Sequence, residues 1–278
     1  MTADALPPVP RPAQPHPLDA VTPAPGALAP VATVSTDAPV LVLDGSWRFR
    51  WAPSARDARL DAAGRSVEHP DFDDSAWGSI AVPSSFTMPV HDATVGGPHG
   101  APAYTNVKYP FSLDPPNPPD ENPIGDHRLR FSADPAVIAS SARAQLRFEG
   151  VEGAGDVWLN GTFVGSTRGS RLPTVFEVGD LLAPENVLVV RVHTFSAASY
   201  LEDQDEWWNP GIIRSVTLRA RPALAIDDVH AVAAWGPSGA SLRVDVRAAS
   251  DAPIAAETVQ IEIVELGLTV PVGVEVAV

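Results

Sequence analysis

There is no cysteine in the 278 residues. Disulfides, cysteine-ligated zinc and thiol nucleophiles are therefore excluded. Positive charge is scarce: 19 Lys and Arg face 34 Asp and Glu, for a net charge of −15. Nucleic acid would require a basic patch, and an anionic lipid surface would repel this chain, so neither is an expected partner. No apolar run is long enough to span a bilayer. The opening "MTADALPP" lacks the basic and apolar regions of a secretory signal, which makes a cytoplasmic location the expectation. The seven histidines are scattered, without HxH or HExxH spacing, and no P-loop or GxGxxG follows a predicted strand. Helical periodicity is missing as well: no stretch repeats its apolar residues convincingly every 3.6 positions.

What is present is apolar residues in alternation. Hydrophobic residues make up 45% of the chain, enough for a packed core. After Asp44-Gly45, "WRFRW" alternates Trp47, Phe49 and Trp51 with Arg48 and Arg50, the period of a half-buried strand. "AQLRFEG" (144–150) sets Leu146 and Phe148 on one face. "DVWLNGTFVG" (156–165) reads as a hairpin about Asn160-Gly161, a dipeptide that tolerates the positive φ of a type I′ turn. "NVLVVRVHTF" (186–195) is almost wholly apolar and predicts a central strand, and "IIRSVTLRA" (212–220) predicts another. Many short strands with turn signals between them predict an all-β sandwich.

Three segments follow from composition. Residues 1–40 hold ten of the thirty prolines and only four charges, which predicts an extended or disordered arm. Residues 41–222 carry the strands above. From 223 to 278, "VHAVAAW", "SLRVDVRAA" and "TVQIEIVEL" predict three more alternating strands, too few for the roughly seven of an immunoglobulin-like sandwich, so this unit is expected to be incomplete. Residues 85–128 read as a long loop-rich stretch.

The polar candidates lie in two places. "APAYTNVKYPF" (101–111) offers Tyr104, Asn106 and Tyr109; an amide both donates and accepts and so can bridge neighbouring sugar hydroxyls, or it can simply satisfy loop backbone. "SYLEDQDEWW" (199–208) crowds Glu202, Asp203, Asp205 and Glu206 against Trp207 and Trp208. If extended, it would put Asp203 and Asp205 on one face and Glu202 and Glu206 on the other. Carboxylates bond hydroxyls strongly and indoles offer a flat apolar face, a combination suited to sugar; the alternative is an acidic strand end whose tryptophans are core. Arg168 and Arg171 in "RGSRLPTVFEV" are expected to pair with nearby acids in a loop, and His91 and His99 to be ordinary loop polars.

Together, "LDGSWRF", "GAPAYTNVKYPF", "DPPNPPDENPIGDHRLRF", "DVWLNGTFVG", "SRLPTVFEV" and "SYLEDQDEWW" make the chain resemble the N-terminal part of the long bacterial β-galactosidases of glycoside hydrolase family 2. The resemblance runs from 43 to 219. It implies a jelly-roll, galactose-binding-like β-sandwich over 41–222, then an incomplete immunoglobulin-like β-sandwich over 223–278. It implies that Asn106 and Asp205 contact the galactosyl unit of a β-galactoside such as lactose, and that Asp205 also ligates sodium. The family's catalytic glutamates and magnesium site lie in a (β/α)₈ barrel, for which 223–278 is too short. The chain alone is thus expected to bind or position sugar without hydrolysing it, its partner being the remainder of a β-galactosidase chain or a homo-oligomer. A free-standing carbohydrate-binding module and a structural or assembly fragment are the alternatives. The link "PSSFTMPVHDATVGGPHGAP" is longer than the family's usual one.

Overall fold

The computed structural model describes residues 24–30, 37–55, 60–88, 99–100, 103–106, 108–133, 143–202, 205–222, 224–237, 239–250 and 260–271. Most of the proline-rich arm, the long link at 89–98 and Asp203 lie outside these residues. The strands in chain order are β1 (Val40–Val42), β2 (Gly45–Ala52), β3 (Gly78–Val82), β4 (Ser84–Ser85), β5 (Ala103–Thr105), β6 (Ile124–Ser132), β7 (Arg143–Phe148), β8 (Val151–Glu152), β9 (Ala154–Leu159) and β10 (Thr162–Thr167). They continue as β11 (Thr174–Glu177), β12 (Glu185–His193), β13 (Glu206–Trp208), β14 (Gly211–Ile212), β15 (Val216–Arg221), β16 (Leu224–Gly236), β17 (Gly239–Ser250), β18 (Gln260–Ile263) and β19 (Leu268–Pro271). The α-helix among the described residues is a single turn, α1 (Ser199–Glu202), and no helix there is long and apolar enough to cross a membrane.

Two antiparallel sheets form the sandwich, ordered β1-β15-β7-β11 and β10-β9-β12-β6-β2-β3. Their inner faces meet in one core. Leu146 and Phe148 of β7, Phe176 of β11 and Leu218 of β15 pack against Trp47 and Phe49 of β2, Val157 of β9 and Leu188 and Val190 of β12. The alternation read in "WRFRW" is the alternation of these faces, with Trp47 and Phe49 buried. β12 lies between β9 and β6, as its apolar run predicts. The Asn160-Gly161 turn joins β9 to β10 with φ of 53° and 84°.

Charge is buried on the other face of the larger sheet. Register places Arg50, Asp126, Arg191, Asp156 and Ser166 in one row across β2, β6, β12, β9 and β10. Asp126 accepts from Arg50 Nη2 at 2.5 Å and Arg191 Nε at 2.7 Å, and Asp156 accepts from Ser166 Oγ at 2.6 Å. Residues 60–77 cover part of this face. Arg128, wholly buried, donates to the carbonyls of Val67, His69 and Pro70 and pairs with Asp74 at 2.9 Å, tying the covering segment to β6.

Several expectations are corrected. "IIRSVTLRA" is two strands rather than one: β14 joins a small sheet with β4 and β8, the chain turns at 213–215, and β15 enters the four-stranded sheet. The loop-rich stretch 85–128 contains β5. Residues 25 and 28 of the arm contact the sandwich, as an extended arm can: Leu28 N–H donates to Val175 O and Ser166 N–H to Pro25 O. Gly26 and Gly165 make the close approach possible, since a Cβ on either would stand 2.1 or 2.3 Å from the other segment's carbonyl oxygen. His99 lies outside any strand and packs on Phe49, ring centroids 5.2 Å apart. Beyond residue 223, β16 and β17 form one long hairpin and β18 and β19 a short one.

Candidate functional site

A two-stranded ladder brings the two candidate segments together. β5 pairs antiparallel with β13 in the register Thr105↔Glu206, Tyr104↔Trp207 and Ala103↔Trp208. Asn106 follows β5 and Asp205 precedes β13, so antiparallel pairing sets them at the same end of the ladder. Both are exposed. Tyr104 closes the group: its hydroxyl donates to Asp205 Oδ1 and also hydrogen-bonds the Asn106 side chain. The bond to the Asp205 carboxylate raises the phenol above its ordinary value, with the Asn106 bond opposing it.

The two tryptophans divide their roles by strand alternation. Trp208 is core, 5% exposed, its Nε1 donating to Thr105 Oγ1 at 2.8 Å and its ring edge-on to Phe195. Trp207 is 54% exposed and sits beside Tyr104, 51% exposed, with centroids 5.4 Å apart. The result is an aromatic surface rimmed by a carboxylate and an amide, a surface that offers apolar contact to sugar C–H groups and hydrogen bonds to hydroxyls.

Glu202 and Glu206 are held by a neighbouring loop. "SYLEDQDEWW" is not extended throughout: Ser199–Glu202 is a helical turn, and Asp203 lies outside the described residues. Glu202 accepts from Ser170 Oγ at 2.5 Å and from Ser170 N–H at 3.1 Å. Glu206 pairs with Arg171 Nη1 at 2.8 Å. Arg171 Nη2 reaches Glu152 at 3.2 Å, and Glu152 accepts the Asn209 N–H at 2.9 Å. Burial pushes the Glu152 carboxyl up, while the Asn209 bond and Arg171 draw it down. Arg171 therefore pairs with nearby acids, as its loop setting predicts. Nothing local in the sequence around Glu152 or Ser170 marks either as a site residue, because the partners of both are distant in the chain.

Below the ladder, the other residues of the two motifs brace one another. Tyr109 donates to Tyr200 O at 2.8 Å, and Tyr200 donates to Asn117 O at 2.7 Å. Phe111 packs edge-on against Phe195 and Tyr200. Tyr109 is thus a structural support, while Tyr104 and Asn106 of the same motif reach the exposed end.

Known proteins match this chain in sequence and in fold. A β-galactosidase of Arthrobacter sp. (strain B7) is 44% identical over 246 residues, covering 85% of this chain and 23% of that protein. A β-galactosidase of Vibrio cholerae is 43% identical over 187 residues, covering 67% and 17%. The chain spans less than a quarter of the length of these relatives. Among solved structures, a Bacteroides uniformis β-glucuronidase aligns with a TM-score of 0.56 at 21% identity over 78% of this chain and 23% of that one. An uncultured Clostridium sp. β-glucuronidase aligns with a TM-score of 0.54 at 17% identity over 80% and 36%; at these identities the likeness shows the sandwich fold alone. Residues 40–222, the sandwich and the ladder just described, match the family of "Glycosyl hydrolases family 2, sugar binding domain", and the chain belongs to that family through this domain.

Proposed function

We propose that this chain is the sugar-binding part of a β-galactosidase, placing the terminal galactose of a β-galactoside such as lactose for hydrolysis. The observation that carries the reading is the meeting of Asn106, Tyr104 and Asp205 at one exposed end of the β5–β13 ladder, beside Trp207, in a chain at least 43% identical to two β-galactosidases. In this reading Asn106 bridges adjacent sugar hydroxyls and Asp205 accepts from another. These contacts orient the sugar; they do not cleave it. The carboxylate pair of a retaining glycosidase comes from outside these residues, as does any magnesium. What the chain contributes is positioning, which accelerates a reaction by holding its reactants in register.

Asp205 also has the donor chemistry that sodium takes, a hard carboxylate oxygen. It supplies one ligand arm, since the described residues contain no cluster of three or more His, Asp or Glu around it, and the remaining donors would come from the rest of the enzyme or the substrate. When held there, sodium supplies a fixed positive charge for a sugar hydroxyl.

The test is to join residues 1–222 to the remainder of a related β-galactosidase and compare kcat/KM for Asp205→Ala, Asn106→Ala and Glu202→Ala. Asp205→Ala should cost more than about 2 kcal/mol of transition-state binding, the order for removing one partner of a desolvated charged contact. Small and equal losses in all three would leave the acidic stretch a structural turn and end the reading.

A further inference from the structure

The acids on either side of Asp205 are gripped by consecutive residues of one loop. Ser170 holds Glu202 through its hydroxyl and its backbone N–H, at 2.5 and 3.1 Å. Arg171 holds Glu206 at 2.8 Å. The loop is itself fixed to the sandwich, because Gly153 N–H donates to Ser170 Oγ at 3.1 Å and Arg171 O accepts from Arg214 Nη1 at 2.9 Å. Arg171 also reaches Glu152, which takes the N–H of Asn209 just beyond β13, so one guanidinium serves both ends of that strand. We infer that Ser170 and Arg171 are positioning residues that set Asp205 against Tyr104 and Asn106.

This inference rests on the proposed sugar-site reading for its purpose, though not for its geometry. Asp205 is exposed, is linked to Tyr104, and leads directly into the ladder at Glu206. The loop adds a side-chain grip on each side of it, at Glu202 and at Glu206. Arginine suits the second grip because its planar fork can reach two carboxylates at once, which a lysine ammonium cannot do with the same geometry.

Tyr104 reports the position of Asp205 without any sugar, because its hydroxyl donates to the Asp205 carboxylate. The experiment compares the ¹³Cζ shifts of the three tyrosines at one neutral pH in the full chain, with the Tyr104 signal identified by its loss in Tyr104→Phe and its fully released position given by Asp205→Ala. In Ser170→Ala, which changes no charge, and in Arg171→Gln the Tyr104 signal should move toward its Asp205→Ala position. Arg171→Lys should fall between wild type and Arg171→Gln.

Movement of the Tyr104 signal toward its Asp205→Ala position in Arg171→Gln or Ser170→Ala, with the far-ultraviolet circular dichroism of the sandwich retained, supports positioning. A Tyr104 signal that keeps its wild-type position in the folded variants overturns it. So does loss of the whole fold in both, which would make the loop a general support. Failure of the sugar-site reading is seen separately, in kcat/KM of the joined enzyme, because the tyrosine measurement contains no sugar.

Discussion

Asp126 on β6 lies directly across the ladder from Arg191 on β12, with Oδ1 and Nε 2.7 Å apart and the carboxylate fully buried. Arg50 reaches the same carboxylate from β2 at 2.5 Å. The pairs fix the register of three neighbouring strands, since a slip of one residue would turn each charge into the core. Asp126→Asn keeps the shape and removes the charge, leaving two largely buried guanidiniums short of an anion. Breaking a buried ion pair costs about 3–5 kcal/mol, and urea unfolding should show a loss at the lower end of that range. A loss under about 1 kcal/mol would mean that solvent already compensates the arginines.

Acid should weaken the fold through His127. Its ring is fully enclosed, edge-on to Phe49 at 4.9 Å and near Phe86 at 6.4 Å, and burial pushes its titration from 6.5 down to about 4. The native state therefore holds fewer protons than the unfolded chain between those values. Its contribution is fully present above pH 6.5, declines as pH falls, and is gone below about 4. A displacement of that size corresponds to about 3 kcal/mol. His127→Gln should flatten the stability profile between pH 6.5 and 4 relative to wild type. Parallel profiles for the two proteins in that window would show that carboxylates alone cause the acid loss.

How much of this was legible in sequence depended on whether the cause was local. The "WRFRW" strand and the Asn160-Gly161 hairpin were readable because alternation and turn chemistry lie within a few residues. The row from Arg50 to Ser166 was not: charges alternating with apolar residues signal a solvated face, and only the return of residues 60–77 over part of that face helps bury them. The helical turn at Ser199–Glu202 is too short to show a period. Asn106 and Asp205 stand out as candidates, but their side-by-side placement arises from the β5 pairing, in a stretch whose glycines and prolines carry the signals of loop. Glu152 and Ser170 carry no local mark because their partners are distant in the chain.

The adjacent tryptophans should respond oppositely to truncation. Trp208 fills a closed space against Phe195 and donates to Thr105, so Trp208→Ala should cost about 3–5 kcal/mol, the range for an aromatic cut to alanine in a core. Trp207 is half exposed, and Trp207→Ala should change stability by less than about 1 kcal/mol. Chemical unfolding of both variants measures this. Comparable losses would show that the Trp207–Tyr104 surface is packed in solution.

Stability and function should be carried by different acids of the same turn. Glu202 accepts two hydrogen bonds from Ser170, which is buried, so Glu202→Ala leaves a hydroxyl and an amide seeking new partners. Such losses cost about 1–3 kcal/mol. Asp205 has an exposed carboxylate whose bond to Tyr104 competes with water, and exposed contacts of this kind are worth about 0–1 kcal/mol. In the chain by itself, Glu202→Ala should therefore lower the unfolding midpoint while Asp205→Ala leaves it nearly unchanged. In the joined enzyme the order should reverse, with Asp205→Ala losing more kcat/KM. Exposed carboxylates are ordinary on a protein surface, so it is the crossing of the two rankings that would show this one to serve a ligand. If Asp205→Ala were the more destabilising change in the chain alone and the smaller one in kcat/KM, Asp205 would be a brace and the sugar contact would have to be sought elsewhere on the ladder.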